Sequence, residues 1–186
     1  MPIKSILKEA REKMQKSEQV FVRELAGVRT GKASPALVEG VQVDAYGSQM
    51  RVRDVAAITT PEPRLLVIQP WDASLVHAIE KAILKSNLGL TPSIDGKIIR
   101  IAFPELTMER RQELIKVVRK MAEEARVAVR HVRREAIERL KKEAKSAGVS
   151  EDEEKHAEKD VQKLTDEFVG KIDEHLKKKE EEIMTV

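Results

Sequence analysis

The sequence predicts an α+β protein: an antiparallel three-helix bundle with a small α/β domain inserted between its first and second helices. Three observations carry this. From Thr107 to Ala147 there is no Gly or Pro, and the stretch is dense in Ala, Leu, Arg, Lys and Glu, all strong helix formers. Two further amphipathic stretches lie at the two ends of the chain. Between Val38 and Phe103 the texture changes to short β-rich runs separated by turn signals.

The first helix is expected from residue 2 to about 29. Pro2 suits a helix start, and Gly31 and Pro35 suit its end. Its inner stripe reads Ile3, Leu7, Ala10, Met14, Ser17, Phe21, Leu25 and Val28. In the middle segment Val41-Gln42-Val43 alternates and Tyr46-Gly47-Ser48 turns. Met50 to Ile58 reads as a strand pair or bulged strand, and Arg64 to Gln69 as a compact strand ended by Pro70. Asp72 can cap a helix over 73–87 whose inner face is Leu75, Val76, Ile79 and Ile83. Asp95-Gly96 is a hairpin signal.

The long central helix spans roughly 60 Å at 1.5 Å per residue. Thr107 is its expected N-cap and Gly148 its stop. Leu114, Val118, Met121, Ala125, Ala128, Val132, Ala136 and Leu140 form its apolar stripe. Ser150 with Glu153 makes a capping box for the third helix, lined by Ala157, Val161, Leu164, Phe168, Ile172, Leu176 and Ile183. The expected domains are 1–30 with 105–186 for the bundle, and 31–104 for the insert. Two short tethers join them. Thr30, Gly31, Lys32, Ala33 and Ser34 on one side, and Phe103, Pro104 and Glu105 on the other, are the expected hinge.

Charge is unevenly placed. The net charge of +3 hides a central helix with 13 basic and 7 acidic residues, followed by a segment with 7 basic and 13 acidic. Opposite charge should draw these two helices together. On the central helix Arg119, Arg126, Arg130 and Arg133 fall within roughly 60° of one another at about 100° per residue. The bland reading is a solvated charged face. Against it, all four are Arg, the side chain suited to bidentate phosphate contacts, and few acids lie among them: Glu113, Glu124, Glu135 and Glu138 turn to the far side, although Glu123 is near the edge.

Other chemistries fail on pattern. With no cysteine, disulfides and thiolate metal sites are excluded. No apolar run approaches the ~18 residues of a membrane span, and no signal or transit segment is visible. Gly27-Val28-Arg29-Thr30-Gly31-Lys32-Ala33-Ser34 invites a phosphate-loop reading, but three residues separate its glycines instead of four. Lys32 is also followed by Ala33, and a helix precedes where a strand is required. His77, His131, His156 and His175 lack partners at ligand spacing, so no metal is expected. Glu151 to Glu154 read as helix-dipole stabilisation. Trp71 and Tyr46 are too few for a base-stacking platform, so an RNA partner would be read through backbone and grooves. No catalytic residue and no cofactor is expected.

From Arg29-Thr30-Gly31-Lys32-Ala33-Ser34-Pro35-Ala36-Leu37 onward the sequence resembles the ribosome recycling factors. The resemblance continues through Tyr46-Gly47, Pro61-Glu62, Ile79-Glu80-Lys81-Ala82-Ile83, Leu88-Gly89-Leu90 and Asp95-Gly96. It is strongest at Leu106-Thr107, Glu109-Arg110-Arg111 and Val127-Ala128-Val129-Arg130-His131-Val132-Arg133-Arg134. It closes with Ser150-Glu151-Asp152-Glu153, Gln162-Lys163-Leu164-Thr165-Asp166 and Lys179-Glu180. Lys32 stands where the family usually has Arg, Met108 where it has Glu, and His131 where it has Asn. Ser48-Gln49-Met50 departs from the family's usual Thr-Pro-Leu after Tyr-Gly.

The resemblance implies an L-shaped, cytoplasmic, monomeric bacterial factor with no cofactor and no catalytic residues. It would bind the large ribosomal subunit after termination and, with elongation factor G and GTP, help split the ribosome. Arg29, Arg130 and Arg133 match the family's contacts to large-subunit rRNA. With four further arginines of the rod, the expected rRNA-binding set is Arg29, Arg110, Arg119, Arg126, Arg130, Arg133 and Arg134. Elongation factor G would act on the hinged domain. A structural or chaperone-like helical bundle without RNA binding is the alternative.

Overall fold

The structure, a computed structural model, describes residues 2–185. The chain divides into two compact units. One runs up to Arg29 and resumes over Met108–Thr185; the other is Thr30–Thr107. Helices and antiparallel sheets occur together, so the class is α+β.

The first unit is three long helices, α1 (Pro2–Ala26), α5 (Met108–Ala147) and α6 (Glu151–Thr185), each packed on both others. Their directions follow from the ion pairs. Lys13 meets Glu135 and Glu9 meets Arg139, so α1 and α5 are antiparallel. Arg119 meets Glu180 and Arg126 meets Asp173, so α5 and α6 are antiparallel. Arg11 meets Glu167 and Glu18 meets His175, so α1 and α6 run parallel. The course is up, down, up.

Several expected positions shift. α1 ends at Ala26, where the Gly27 N–H closes onto the carbonyls of Arg23 and Glu24, so Val28 lies outside it. Its buried residues are Ile6, Ala10, Met14, Phe21 and Leu25. Ile3, Leu7 and Ser17 are only half-buried. In α5 the buried line is Arg111, Leu114, Val118, Ala122, Ala125, Val129, Val132, Ala136 and Leu140. Ala122 and Val129 replace Met121 and Ala128, which sit half-buried on the margin toward α1. Two neighbours share the buried stripe, and this rotates its centre by about one residue. In α6 Thr165 is buried where Leu164 was expected. Its hydroxyl is satisfied by donating to the Val161 carbonyl at 2.9 Å. Leu176 is half-buried. The capping expectation at Ser150 holds: its hydroxyl accepts from the Glu153 N–H at 3.2 Å.

The second unit contains α2 (Ala36–Glu39), β1 (Gln42–Ala45), β2 (Ser48–Arg51), α3 (Val52–Val55), β3 (Ala56–Glu62) and β4 (Leu65–Pro70). A 3-10 turn (Ala73–Leu75) leads into α4 (Val76–Lys85), and β5 (Pro92–Asp95) and β6 (Ile98–Ala102) follow. β1 and β2 form a hairpin, and the other strands form an antiparallel sheet in the order β3-β4-β6-β5. Tyr46 and Gly47 both have positive φ (54° and 79°) in the two-residue β1–β2 turn, as a type I′ turn demands. The segment expected as a strand pair over Met50 to Ile58 is instead broken by the helical turn α3, which buries Val52 and Val55. The β5–β6 turn is Gly96-Lys97, one residue later than Asp95-Gly96, because Asp95 still pairs with Ile98. Positive φ at Gly96 alone marks the II′ type.

Asp72 accepts from the Ser74 N–H at 3.0 Å and starts the helical segment as expected. Leu75, Val76, Ile79 and Ile83 are all buried. They close over Leu66, Ile68, Ile99 and Ile101, the inward positions of β4 and β6, with Val43 and Ala45 of β1 in the same core.

Candidate nucleic-acid interface

The arginines of α5 fall into groups by what they touch, and the grouping follows from 100° per residue. Arg119, Arg126 and Arg133 recur every seven residues, so they stay on the seam facing α6. Arg119 Nε donates to Glu180 Oε1 at 2.7 Å. Arg126 donates from Nε to Asp173 Oδ1 at 2.8 Å. Its Nη2 lies 2.6 Å from the same oxygen. Arg133 Nη1 donates to Gln162 Oε1 at 3.0 Å, and Gln162 is itself held by donating to Asp166. The expectation that few acids stand among these arginines is therefore corrected. Across the seam α6 supplies carboxylates to two of them, Glu180 to Arg119 and Asp173 to Arg126.

Glu123 is a further acid among them. By helix phase it lies at the edge of the stripe, as expected, but its carboxylate reaches into it. Its Oε2 accepts from Arg126 Nη1 at 3.1 Å and its Oε1 from Arg130 Nη1 at 3.2 Å. These hydrogen bonds, first from Arg126 and then from Arg130, hold its carboxyl below the usual carboxylate range. Burial works against the charged Arg126, but the hydrogen bonds to Asp173 and Glu123 outweigh it and raise its pKa. The hydrogen bond to Glu180 raises that of Arg119.

Arg126 is thus engaged on both edges of its guanidinium and only 20% exposed: a strut between α5 and α6. Arg119 keeps its terminal nitrogens outward at 64% exposure, and Arg130 is 44% exposed. Arg133 is partly buried and its Nε is buried without a partner in the protein. Arg134, one residue on, is exposed and makes no ion pair or hydrogen bond among the described residues. Arg110 lies about half a turn from the stripe and pairs with Glu113 at 2.9 Å, so the structure does not bring it to the same face. Arg29 is exposed just past the end of α1.

Two features of this helix were not singled out from sequence. Lys116 and Lys120 are exposed cations of α5 without partners among the described residues. By helix phase Lys116 shares the outward side with Arg130 and Arg134. Arg111 is buried and donates to the Met184 carbonyl, one of the otherwise unpaired carbonyls in the last turn of α6.

Two of the expected hinge residues, Ala33 and Phe103, are pinned at one place in the second unit. The β3–β4 turn offers two successive carbonyls. Pro63 O accepts the Ala33 N–H and Arg64 O accepts the Phe103 N–H, each at 2.8 Å. Arg64 pairs with Glu105 at 3.6 Å. Gly31 has φ +81°, and a Cβ there would meet Leu106 Cγ at 3.2 Å. Thr30 and Ala33 are buried. Lys32 precedes no helix N-terminus that could cradle a phosphate, since the next helix is the one-turn α2.

The family model for ribosome recycling factor matches residues 21–184.

The chain belongs to the ribosome recycling factor family.

It is 57% identical over 184 residues to the ribosome-recycling factor of Carboxydothermus hydrogenoformans, covering 99% of this chain and 100% of the relative. To that of Bacillus subtilis it is 54% identical over 183 residues, covering 98% and 99%. Among solved structures, it is similar to a ribosome recycling factor in solution, with 45% identity and a TM-score of 0.77, covering 100% of this chain and 99% of that one. A second is the T. thermophilus ribosome recycling factor, in a set with E. coli elongation factor G bound to the E. coli post-termination complex. There the identity is 50% and the TM-score 0.64, covering 98% and 99%. Among the described residues no helix is long and apolar enough to cross a membrane.

Proposed function

We propose that this chain recycles ribosomes after termination. It binds the large subunit of the post-termination ribosome through the cationic side of α5 and, with elongation factor G and GTP, promotes separation into subunits. It acts as a cytoplasmic monomer and performs no catalysis of its own. What carries this reading is membership of the family over nearly the whole chain, joined to a rigid helix that holds Arg119, Arg130, Arg133 and Arg134 partly or wholly open to solvent. A helix fixes their spacing before binding, so little ordering entropy is lost on meeting a folded RNA. The guanidiniums would contact rRNA phosphates, and the counterions released would make binding salt-dependent. Arg29 and Arg110 belong to the proposed rRNA-binding set, although Arg110 does not share this face. The residues 30–34 and 103–105 act as the proposed hinge region through which elongation factor G acts on the inserted unit.

The test is a titration of isolated large subunits with wild type, Arg133→Ala and Arg133→Lys at two salt concentrations, with melting curves alongside. A charge-assisted contact is worth about 1.5–3 kcal/mol, so the Ala variant should bind at least about tenfold more weakly at low salt. The deficit should shrink as salt rises. Lys should rescue in part, keeping the charge and losing the fork. Unaltered binding by a folded Ala variant removes Arg133 from the contact. Failure of wild type to bind large subunits at low salt removes the reading itself and favours a bundle without an RNA role.

A further inference from the structure

We infer that Glu123 occupies a phosphate site: its carboxylate holds, between Arg126 and Arg130, the place that an RNA phosphodiester takes when the protein binds its target. The inference rests on the proposed rRNA contact and adds to it a resident competitor.

The geometry is specific. Residues 123, 126 and 130 stand three and seven apart, on one side of α5. The two carboxylate oxygens are divided between two guanidiniums, Oε2 to Arg126 Nη1 and Oε1 to Arg130 Nη1. The two non-bridging oxygens of a phosphodiester make the same demand: two acceptor atoms on one anion, each facing a guanidinium N–H. Asp173 differs from Glu123 in kind. It grips the Nε and Nη2 edge of Arg126 from the neighbouring helix and aims the remaining Nη1 along the surface. Asp173 is therefore a positioning residue. Glu123 belongs to the same helix as its partners and its side chain is 54% exposed. It can rotate into solvent without disturbing a core contact.

Binding at this point then exchanges one anion for another. A single mobile phosphate gains little by replacing a carboxylate already in place. A folded RNA that also engages Arg119, Arg133 and Arg134 gains enough elsewhere to displace it. Glu123 thereby acts as a threshold favouring rigid, closely spaced phosphates over loose polyanion.

Glu123→Gln in the full chain tests this. Gln keeps the size and one acceptor but removes the charge. The affinity for isolated large subunits should rise about threefold to tenfold at low salt, and the slope of log affinity against log salt should steepen by about one. Glu124→Gln is the control. It removes the same formal charge one residue along, from a side chain without a hydrogen bond or ion pair among the described residues. It should raise affinity less than half as much. Unchanged or weaker binding by a folded Glu123→Gln overturns the inference, the weaker case showing that the carboxylate orients the arginines. An equal rise in Glu124→Gln also overturns it, by showing a general charge effect. Absence of large-subunit binding in wild type is a different result and strikes the proposed function.

Discussion

The bundle and the inserted unit solve stability in different ways. The bundle buries small residues at many points: Ala10, Ala122, Ala125, Ala136 and Ala157 let the helices approach, with Met14, Phe21 and Phe168 filling between them. Its seams are laced with ion pairs, as at Lys13–Glu135 and Arg126–Asp173. The insert uses Ile, Val and Leu from a sheet and one helix, and its ion pairs Arg53–Asp54, Arg64–Glu105 and Arg100–Asp95 are peripheral and long. Its polar investment is in turns. The difference teaches that charge in this protein is an architectural material in one region and decoration in the other. The cationic surface proposed to meet RNA is built on the former, where arginine positions are already disciplined by a neighbour.

The sharpest way to break this comparison is to damage each core separately. Phe168→Ala removes a ring that is 1% exposed and should cost about 3–5 kcal/mol. Ile79→Ala in the insert should cost about 2–5 kcal/mol. The single Trp and single Tyr, Trp71 and Tyr46, both lie in the insert. Near-UV circular dichroism in the Trp and Tyr bands therefore reports the insert, while far-UV ellipticity is dominated by the bundle. Phe168→Ala should move the far-UV transition and leave the near-UV one, with the reverse for Ile79→Ala. Coincident shifts in both variants would show one shared core.

A smaller effect is expected at the tether. Gly31→Ala places a Cβ at positive φ and 3.2 Å from Leu106 Cγ. Strain of this kind costs about 1–3 kcal/mol, and the near-UV transition should bear it. A gain in stability on Gly31→Ala, from a less flexible unfolded chain, would show that the clamp yields easily.

The smallest effect lies in the insert's surface. Tyr46 Oη donates to Asp72 Oδ2 at 2.7 Å. This bond, followed by those from Ser74, depresses the Asp72 pKa, and the bond to Asp72 raises that of Tyr46. A depressed folded pKa means the stabilisation is fully present above the ordinary carboxylate value near 4 and is lost as pH falls through the folded value. Tyr46→Phe should return the Asp72 titration, followed by NMR, toward that ordinary value and flatten this part of the acid limb. An unmoved Asp72 titration would assign the shift to Ser74 alone.

What could be read from sequence was local. The β1–β2 turn, though not its type, needed only Tyr46-Gly47-Ser48, the α6 cap only Ser150 with Glu153, and the buried face of α4 only the spacing of Leu75, Val76, Ile79 and Ile83. The arginine stripe was legible as a stripe because helix periodicity is a property of one segment. Its partners were not, since Asp173 and Glu180 lie far along the chain and reach α5 only once the register of two antiparallel helices is set. The signal was present: acids on α6 whose numbers fall as the arginines rise. Met50 to Ile58 misled because Val52 and Val55 are strong strand formers by type, and burial in the insert's core outweighed that preference. The pinning of both tethers was invisible, because it runs through the backbone carbonyls of Pro63 and Arg64, and no side-chain pattern encodes it.

That pinning bears on how the chain folds. Before the insert forms, α1 and α5 are ends of a long flexible loop, and pairing them costs loop-closure entropy. Once the insert has folded, the β3–β4 turn holds Ala33 and Phe103 at adjacent carbonyls, and the long connection behaves as a short one. A roughly tenfold shorter effective loop lowers the closure cost by about 2 kcal/mol. The β-rich unit, with its distant strand pairings, would set the pace, and the helices would close quickly behind it. Read as kinetics, the two carbonyls of one turn are a zipper's starting pin.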